Sequence, residues 1–367
     1  MCCRVAASLG WEYRKQNARW QVAPVGGVPR SHLGTGTMPL MIPPLLAEAV
    51  IKAAANRPIV VTGGAGFIGS HLVESLCEIG ACVKVIDDLS TGHRENLVGT
   101  TATLHEGSIL DRDLVAEVVK DAGLLFHLGA FISVAGSVAD PQTCDDINVT
   151  GMQVVLDEAA AAGVRRVIFA SSSSVYGDAQ SLPSREDQPA APESPYAASK
   201  AKGEELLKAA SQMGLSTVGL RYFNVFGPRQ SPDAAYAAVI PAFFKHLLQG
   251  TPPTIYGTGE QTRDFISVND VVAANFLAAS CPAELTGEVF NCGSGQGVSL
   301  LDLLAVIQTI TGTSIEPTFA PARAGDVPHS LACMEAARRV LAFVPTASLG
   351  GGLEATASWL EATAPKA

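Results

Sequence analysis

The sequence contains no Cys-x-x-Cys pair and no His-x(3–5)-His partner that would complete a zinc site, although it carries eight cysteines. Cys2, Cys3, Cys77, Cys82, Cys144, Cys281, Cys292 and Cys333 are scattered, which reads as buried reduced thiols and no metal. It also lacks an apolar run of about eighteen residues, the length a membrane-spanning helix needs. Its greasiest stretch, Met38 to Ile51, is broken by Pro39, Pro43, Pro44 and Glu48, so no membrane partner is expected. Excess positive charge is missing as well. With 25 Lys and Arg against 35 Asp and Glu, the net charge of -10 excludes a nucleic-acid scaffold, because phosphate binding needs clustered cations. No internal repeat or low-complexity tract is found. A reducing, cytoplasmic setting is the expectation.

What is present is a packed globular composition. With 47% hydrophobic and 16% charged residues over 367 positions, the chain is long enough for one large domain or two lobes, and disorder as the whole answer is excluded. Residues 1–41 stand apart. They carry Arg4, Arg14, Lys15, Arg19 and Arg30 against a single acid, Glu12, with scattered glycine and proline and no periodic pattern. A transit peptide has this composition, and so does a leader upstream of a start at Met38 or Met41. The expected state of this leader is disordered or not native.

From Pro43 the pattern becomes regular. Leu45 to Ala55 reads as a helix stopped near Asn56 and Pro58. Short β-branched runs follow at Ile59–Thr62, Val83–Asp87, Leu124–Leu128, Arg166–Ser171 and Thr217–Arg221, alternating with helical stretches at Ser70–Ile79, Leu114–Val119, Asn148–Ala162 and Ser199–Met213. Alternation of this kind predicts an α/β fold with a doubly wound parallel sheet of Rossmann type. After Phe223 it loosens into loops rich in proline and glycine, which predicts a smaller C-terminal substrate-binding lobe. The expected division is a dinucleotide-binding domain over 42–222 with 265–283 returning to it, and a lobe built from 223–264 and 284–345. Ligands should bind between the two.

Directly after the first predicted strand comes Thr62-Gly63-Gly64-Ala65-Gly66-Phe67-Ile68-Gly69, with a helix beginning near Ser70. Gly63 permits the tight turn, Gly66 lets backbone N–H groups approach a pyrophosphate, and Gly69 allows close packing of helix on strand. Asp87 ends the second strand, twenty-one residues beyond Gly66. A carboxylate there can bind both hydroxyls of the adenosine ribose, which favours NAD over NADP.

In Pro195-Tyr196-Ala197-Ala198-Ser199-Lys200, the tyrosine and lysine lie four apart and share one face of a helix. A lysine ammonium and a positively charged nicotinamide both favour the phenolate, so the expected effect is a tyrosine pKa lowered towards that of a working base. The run Ser171-Ser172-Ser173-Ser174-Val175-Tyr176-Gly177 closes an earlier strand, at the carboxyl edge where nicotinamide would lie. A serine there can hold the reacting hydroxyl.

These motifs resemble those of the extended short-chain dehydrogenase/reductase family, and within it the UDP-glucose and UDP-N-acetylglucosamine 4-epimerases. The likeness runs from about Arg57 to Phe343. It includes Arg221-Tyr222-Phe223-Asn224-Val225-Phe226-Gly227, Gly257-Thr258-Gly259-Glu260-Gln261-Thr262-Arg263-Asp264-Phe265 and Arg323-Ala324-Gly325-Asp326-Val327-Pro328. The resemblance implies NAD as cofactor, held by Gly63, Gly66, Phe67, Ile68, Gly69, Asp87, Ser108, Ile109, Ala130, Asn148, Tyr196, Lys200 and Tyr222. It implies a catalytic set of Tyr196, Lys200, Ser172 and the neighbouring Ser173. A UDP-sugar would be bound by Ser133, Asn224, Arg263, Arg323, Asp326 and Ser330. Guanidinium forks suit paired phosphate oxygens, and an Asn amide adds a neutral donor. The implied reaction oxidises the sugar at C4 and reduces it again from the other face, with NAD retained. The implied assembly is a homodimer through the helices at Asn148–Ala162 and Ser199–Met213.

Related dehydratases carry an acid after the active-site hydroxyl; Ser173 and Ser174 stand there instead, which weakens an elimination reading. The small Ser330, four beyond Asp326, resembles members that accept N-acetylhexosamines, as does the helix before Ile59. Two departures from the family's pattern stand out. Ser108 replaces the aspartate that usually meets adenine, and Phe131-Ile132-Ser133-Val134 replaces small residues near the sugar. A UDP-glucuronate 4-epimerase, which shares the serine run, and a non-catalytic NAD sensor are the competing functions.

Overall fold

The computed structural model describes residues 11–14, 19–22, 42–179, 181–231, 238–322 and 327–363. Within residues 1–41, Trp11–Arg14 pairs antiparallel with Arg19–Val22, although no alternation marks these strands in the sequence. Helix α1 (Pro44–Ala53) opens with proline in its first turn, where the missing N–H costs nothing.

The central sheet has seven strands: β1 (Ile59–Thr62), β2 (Val83–Asp87), β3 (Thr103–Glu106), β4 (Leu124–His127), β5 (Arg166–Ser172), β6 (Ser216–Tyr222) and β10 (Thr286–Cys292). Their spatial order is β10-β6-β5-β4-β1-β2-β3, and every pair is parallel. The expected doubly wound α/β fold is therefore what the chain adopts. Strands covered on both faces need apolar side chains in both directions. Alternate residues accordingly feed two cores. Ile59, Val61 and Ile168 pack on one face with α1 and α2 (Phe67–Glu78), while Val60, Val167 and Phe169 pack on the other with α3 (Arg112–Val119) and α6 (Gly151–Ala161). Each fully buried Leu, Ile, Val or Phe contributes about 1.5–3 kcal/mol relative to exposure.

The helices begin where the sequence supplies caps. Asp111 accepts from Leu114 N to start α3, and Ser194 accepts from Ala197 N to start α7 (Pro195–Gln212). Before α6, residues Asp146–Thr150 form a π-helical turn. Helix α2 starts at Phe67 rather than near Ser70, with Gly66 in the position before it and no side chain capping its first turn.

The second lobe is built on β7 (Asn224–Phe226), β9 (Thr262–Ser267) and β11 (Gly297–Ser299), with β8 (Thr254–Tyr256) pairing β12 (Thr318–Ala320). Its own core gathers Phe226, Phe243, Phe244, Phe265, Leu303 and Ile307. Two elements of the central domain lie beyond Phe223. Helix α9 (Val268–Ser280) packs on α1 and α2. Strand β10, which the sequence reading gave to the smaller lobe, is the edge of the main sheet. A clasp joins the lobes: Arg229 pairs with Glu74 of α2 at 2.6 Å, and His71 of α2 donates to the Pro228 carbonyl at 2.9 Å.

Cys144, Cys281, Cys292 and Cys333 are buried free thiols, as expected, but Cys77 is half-buried and Cys82 exposed. Among the described residues no helix is long and apolar enough to cross a membrane, and no cluster of His, Cys, Asp and Glu could hold a metal.

Candidate active site

The strand order reverses direction around β1, whose neighbours are β2 and β4. A crevice opens at such a point at the carboxyl ends of the strands. Gly63 follows β1 in a left-handed conformation, φ 69°. A Cβ on it would fall 2.6 Å from Gly129 N, beyond the end of β4, and a Cβ on Gly69 would fall 2.1 Å from Gly63 O. Both positions therefore exclude any side chain. At Gly66 a Cβ would meet only Gly63 O, at 3.3 Å, so that face is open to a ligand. The uncapped start of α2 at Phe67 and Ile68 leaves backbone N–H groups and positive field there. Buried Asp87 accepts from Ala65 N at 2.8 Å and Leu89 N at 2.9 Å, one bond on each oxygen. Burial pushes its carboxyl pKa up, against those two bonds. Each oxygen retains capacity for a ribose hydroxyl.

Ser108 and Ile109 follow β3 beside Asp87. The Ser108 hydroxyl accepts from Leu110 N at 3.2 Å, and Ile109 is buried against Gly151. On the other side of the crevice, Ala130 is half-buried after β4. Asn148, on the π turn, accepts from Phe131 N at 2.7 Å and donates to Phe131 O at 3.0 Å and Ser199 Oγ at 2.9 Å. Its amide thus clamps the loop after β4 to α7. Tyr222 ends β6 with its hydroxyl turned into the core, where Asn275 donates to it at 2.8 Å.

Tyr196, Lys200 and Ser172 come together. Tyr196 lies in the first turn of α7, its backbone N held by Ser137 Oγ at 3.0 Å, and the Ser172 hydroxyl, which accepts from Ser174 N at 3.2 Å, is near enough to its phenol to favour the phenolate. Ser173 opens the 3-10 turn Ser173–Tyr176 and is half-buried. Buried Lys200 donates to the Ala170 carbonyl at 2.9 Å, and its Nζ lies 5.8 Å from the centre of the Tyr196 ring. Here the expected depression of the tyrosine is not seen. Burial pushes the Tyr196 phenol up, with Ser172 opposing. Burial also pulls the Lys200 ammonium down to about 8. Desolvation sets the direction in the protein alone, and the ammonium is aimed at the Ala170 carbonyl rather than at the phenol.

Of the residues expected to bind substrate, Ser133 caps the short helix α4 (Val134–Ala139) by accepting from Gly136 N. Asn224 donates to Asp264 O at 3.1 Å. Arg263 reaches the carbonyls of Thr262 and Pro328 at 2.9 and 3.3 Å. Ser330 is half-buried, and its backbone N donates to Thr262 O at 3.1 Å, which brings the 328–330 segment alongside Arg263. Arg323 and Asp326 lie outside the described residues. Ile132 and Val134 of the divergent segment are 61% and 49% exposed, so they line solvent-accessible space rather than a core.

Sequence reasoning did not single out Gly129, Ser137, Glu204 or Asp264. Gly129 could have been suspected as a glycine just after a strand. The others act through partners distant in sequence and leave no local pattern.

A family model described as NAD dependent epimerase/dehydratase family matches residues 59–293. A UDP-glucose 4-epimerase from Mycolicibacterium smegmatis is 40% identical over 304 residues, 81% of this chain and 96% of its own length. The solved UDP-N-acetylglucosamine 4-epimerase from Methanobrevibacter ruminantium, in complex with UDP-N-acetylmuramic acid, is 38% identical with a TM-score of 0.80, covering 83% of this chain and 98% of that one. A UDP-glucuronic acid 4-epimerase from Bacillus cereus, solved with UDP-glucuronic acid and NAD, is 31% identical with a TM-score of 0.78, covering 83% and 99%.

Proposed function

The chain belongs to the NAD dependent epimerase/dehydratase family, and from that membership we propose that it is an NAD-dependent UDP-hexose 4-epimerase that accepts UDP-GlcNAc and UDP-GalNAc. The observation that carries the reading is the meeting of Ser172, Tyr196 and Lys200 at the carboxyl edge of the sheet, on the rim of the crevice that holds the Gly63–Gly69 turn.

The residues present fit NAD: a turn at Gly63 and Gly69 packed too tightly for any side chain, an open face at Gly66, an uncapped helix start, and the Asp87 carboxylate. Gly63, Gly66, Phe67, Ile68 and Gly69 would hold its pyrophosphate, Asp87 the ribose, Ser108 and Ile109 the adenine end. Ala130, Asn148, Lys200 and Tyr222 would flank the nicotinamide half. When bound, NAD supplies reversible hydride acceptance at C4 and a positive charge beside the phenol.

The remaining chemistry is the protein's own. Tyr196 takes the proton from the sugar 4-hydroxyl, and Ser172, with Ser173 beside it, donates to the same oxygen as it becomes a ketone. Lys200 orients the ribose and favours the phenolate. After the 4-keto sugar has turned about its diphosphate, Tyr196 returns the proton, and net oxidation is zero. Asn224, Arg263 and Arg323 grip UDP while Ser133, Asp326 and Ser330 leave the sugar room to turn. The small, half-buried Ser330 supports space for an N-acetyl group. The reading also makes the protein a homodimer, which sedimentation will test.

The deciding experiment incubates purified protein with UDP-GlcNAc, UDP-Glc or UDP-GlcA and assays the C4 epimer of each. Equilibration of UDP-GlcNAc with UDP-GalNAc is expected. Activity confined to UDP-Glc would remove the N-acetyl assignment, and activity confined to UDP-GlcA would move the protein to the uronate group. With no epimer from any of the three, the sensor reading would stand instead.

A further inference from the structure

Three residues along one stripe of α7 are laced to the end of β5. Tyr196 lies near the Ser172 hydroxyl, which favours its phenolate, while Lys200 donates to Ala170 O at 2.9 Å and Glu204 accepts from Ser171 Oγ at 2.6 Å. Spacings of four and eight put all three on the same side of the helix. Glu204 serves neither cofactor nor sugar in the mechanism above, yet a carboxylate that is 6% exposed needs compensation. Arg221 of β6 supplies it, donating Nε to Oε1 at 2.8 Å and Nη2 to Oε2 at 2.7 Å. Arg221 lies opposite Ser171 in the sheet register, and both are buried. The guanidinium also lies 4.7 Å from the centre of the Tyr176 ring, at the far end of the 3-10 turn that starts at Ser173. The backbone on both sides of Ser172 is thereby tied to one ion pair.

Strand residues 171 and 172 share a peptide unit, so a hydroxyl anchored at Ser171 limits where the next side chain can point. A charge-assisted bond of 2.6 Å is stiffer than a neutral one. We propose that Glu204 is a positioning residue of the active site, acting through Ser171 to hold the Ser172 hydroxyl against the Tyr196 phenol. The inference rests on the epimerase reading for its kinetic consequence but not for its titration.

The test uses the full-length, NAD-bound protein and the variants Ser171→Ala, Glu204→Gln and Ser172→Ala, singly and combined. Ser171→Ala leaves the Glu204–Arg221 pair intact, and so keeps the question open to experiment even if Glu204→Gln fails to fold. Ser171→Ala should lower kcat about tenfold with KM nearly unchanged, and in a Ser172→Ala background it should cost little more. The second readout is the ionisation of the Tyr196 phenol, followed in the ultraviolet as the difference from Tyr196→Phe. Ser172→Ala should move that titration to higher pH, Ser171→Ala should move it the same way, and the double variant no further. Wild-type kcat and an unmoved titration in Ser171→Ala would overturn the proposal. So would losses that multiply in the double variant, since they would make Ser171 act independently of Ser172. Should the wild-type protein epimerise no UDP-sugar, the function assigned above fails while the titration still decides the role of Glu204.

Discussion

Asp264 Oδ2 accepts a 3.0 Å hydrogen bond from Ala332 N across 68 positions of sequence. The same carboxylate accepts from Gly295 N at 2.9 Å, from Ser294 N at 2.6 Å and from Ser294 Oγ at 2.7 Å. It is wholly buried. It therefore bolts β9, which carries Arg263, to the loop after β10 and to the segment just past Ser330. Asp264→Asn replaces one acceptor oxygen by a donor that faces N–H groups. Hydrogen bonds to a charged group contribute about 1.5–3 kcal/mol each. The expected outcome is a KM for UDP-sugar raised about tenfold, a smaller change in kcat and unchanged NAD content. Steady-state kinetics check it, and a collapsed kcat at constant KM would contradict it.

Tyr196→Phe removes the proposed proton acceptor but keeps the ring. Turnover should fall by at least about a thousandfold, within the range that a lost general base gives, while bound NAD measured after denaturation stays at the wild-type level. Full activity in this variant would take Tyr196 out of the reaction.

Gly69→Ala sets a methyl group 2.1 Å from Gly63 O, backbone against which nothing can yield cheaply. The variant should lose NAD and melt several degrees lower, as read by cofactor fluorescence and calorimetry. Gly80→Ala makes a useful contrast. Nothing lies near its Cβ, but its φ of 82° strains any side chain, so stability should drop with NAD binding retained.

Two buried histidines make the fold acid-sensitive. Burial pulls His71 down to about 4, with Arg229 adding to the effect. Burial, then Lys200, pulls His127 down to about 3. His127 Nδ1 lies 2.8 Å from the Thr62 hydroxyl, and the same Thr62 oxygen accepts from Gly129 N at 3.1 Å. That pattern lets Thr62 donate to a neutral imidazole. The unfolded chain binds these protons near pH 6.5 and the folded one resists until about 3 or 4. Stability is therefore complete above pH 6.5 and is lost as pH falls through that window, by about 1.4 kcal/mol per pH unit for each group. In His127→Gln the slope of urea-unfolding free energy against pH, measured from 7 to 4.5, should be shallower than in the wild type; an equal slope would assign the acid sensitivity elsewhere.

The inner strands were legible because each is a short β-branched run buried on both faces, as Ile59–Thr62 and Arg166–Ser172 show. The two edges were not. Thr103–Glu106 is half exposed, and Thr286–Cys292 carries Gly287 and Glu288 at a register shift, so neither reads as a core strand. Within the site, the glycine turn, Asp87 and the Tyr196/Lys200 pair declare themselves by spacing within a single element or between adjacent ones. Glu204 and Asp264 do not, since each is defined by partners that folding brings from other strands. The direction of the Lys200 ammonium was also invisible, because it depends on the Ala170 carbonyl at the end of a neighbouring strand.

Strand β10 closes the main sheet only after the chain has left at Tyr222, crossed the smaller lobe and come back. During synthesis, then, the central domain is unfinished when its first six strands have emerged from the ribosome, and the outer edge of β6 offers unpaired backbone groups to any strand that comes near. A nascent chain paused before Thr286, or a fragment cut there, would expose the long buried strand β6 as an edge in place of β10 and would tend to pair with its own kind.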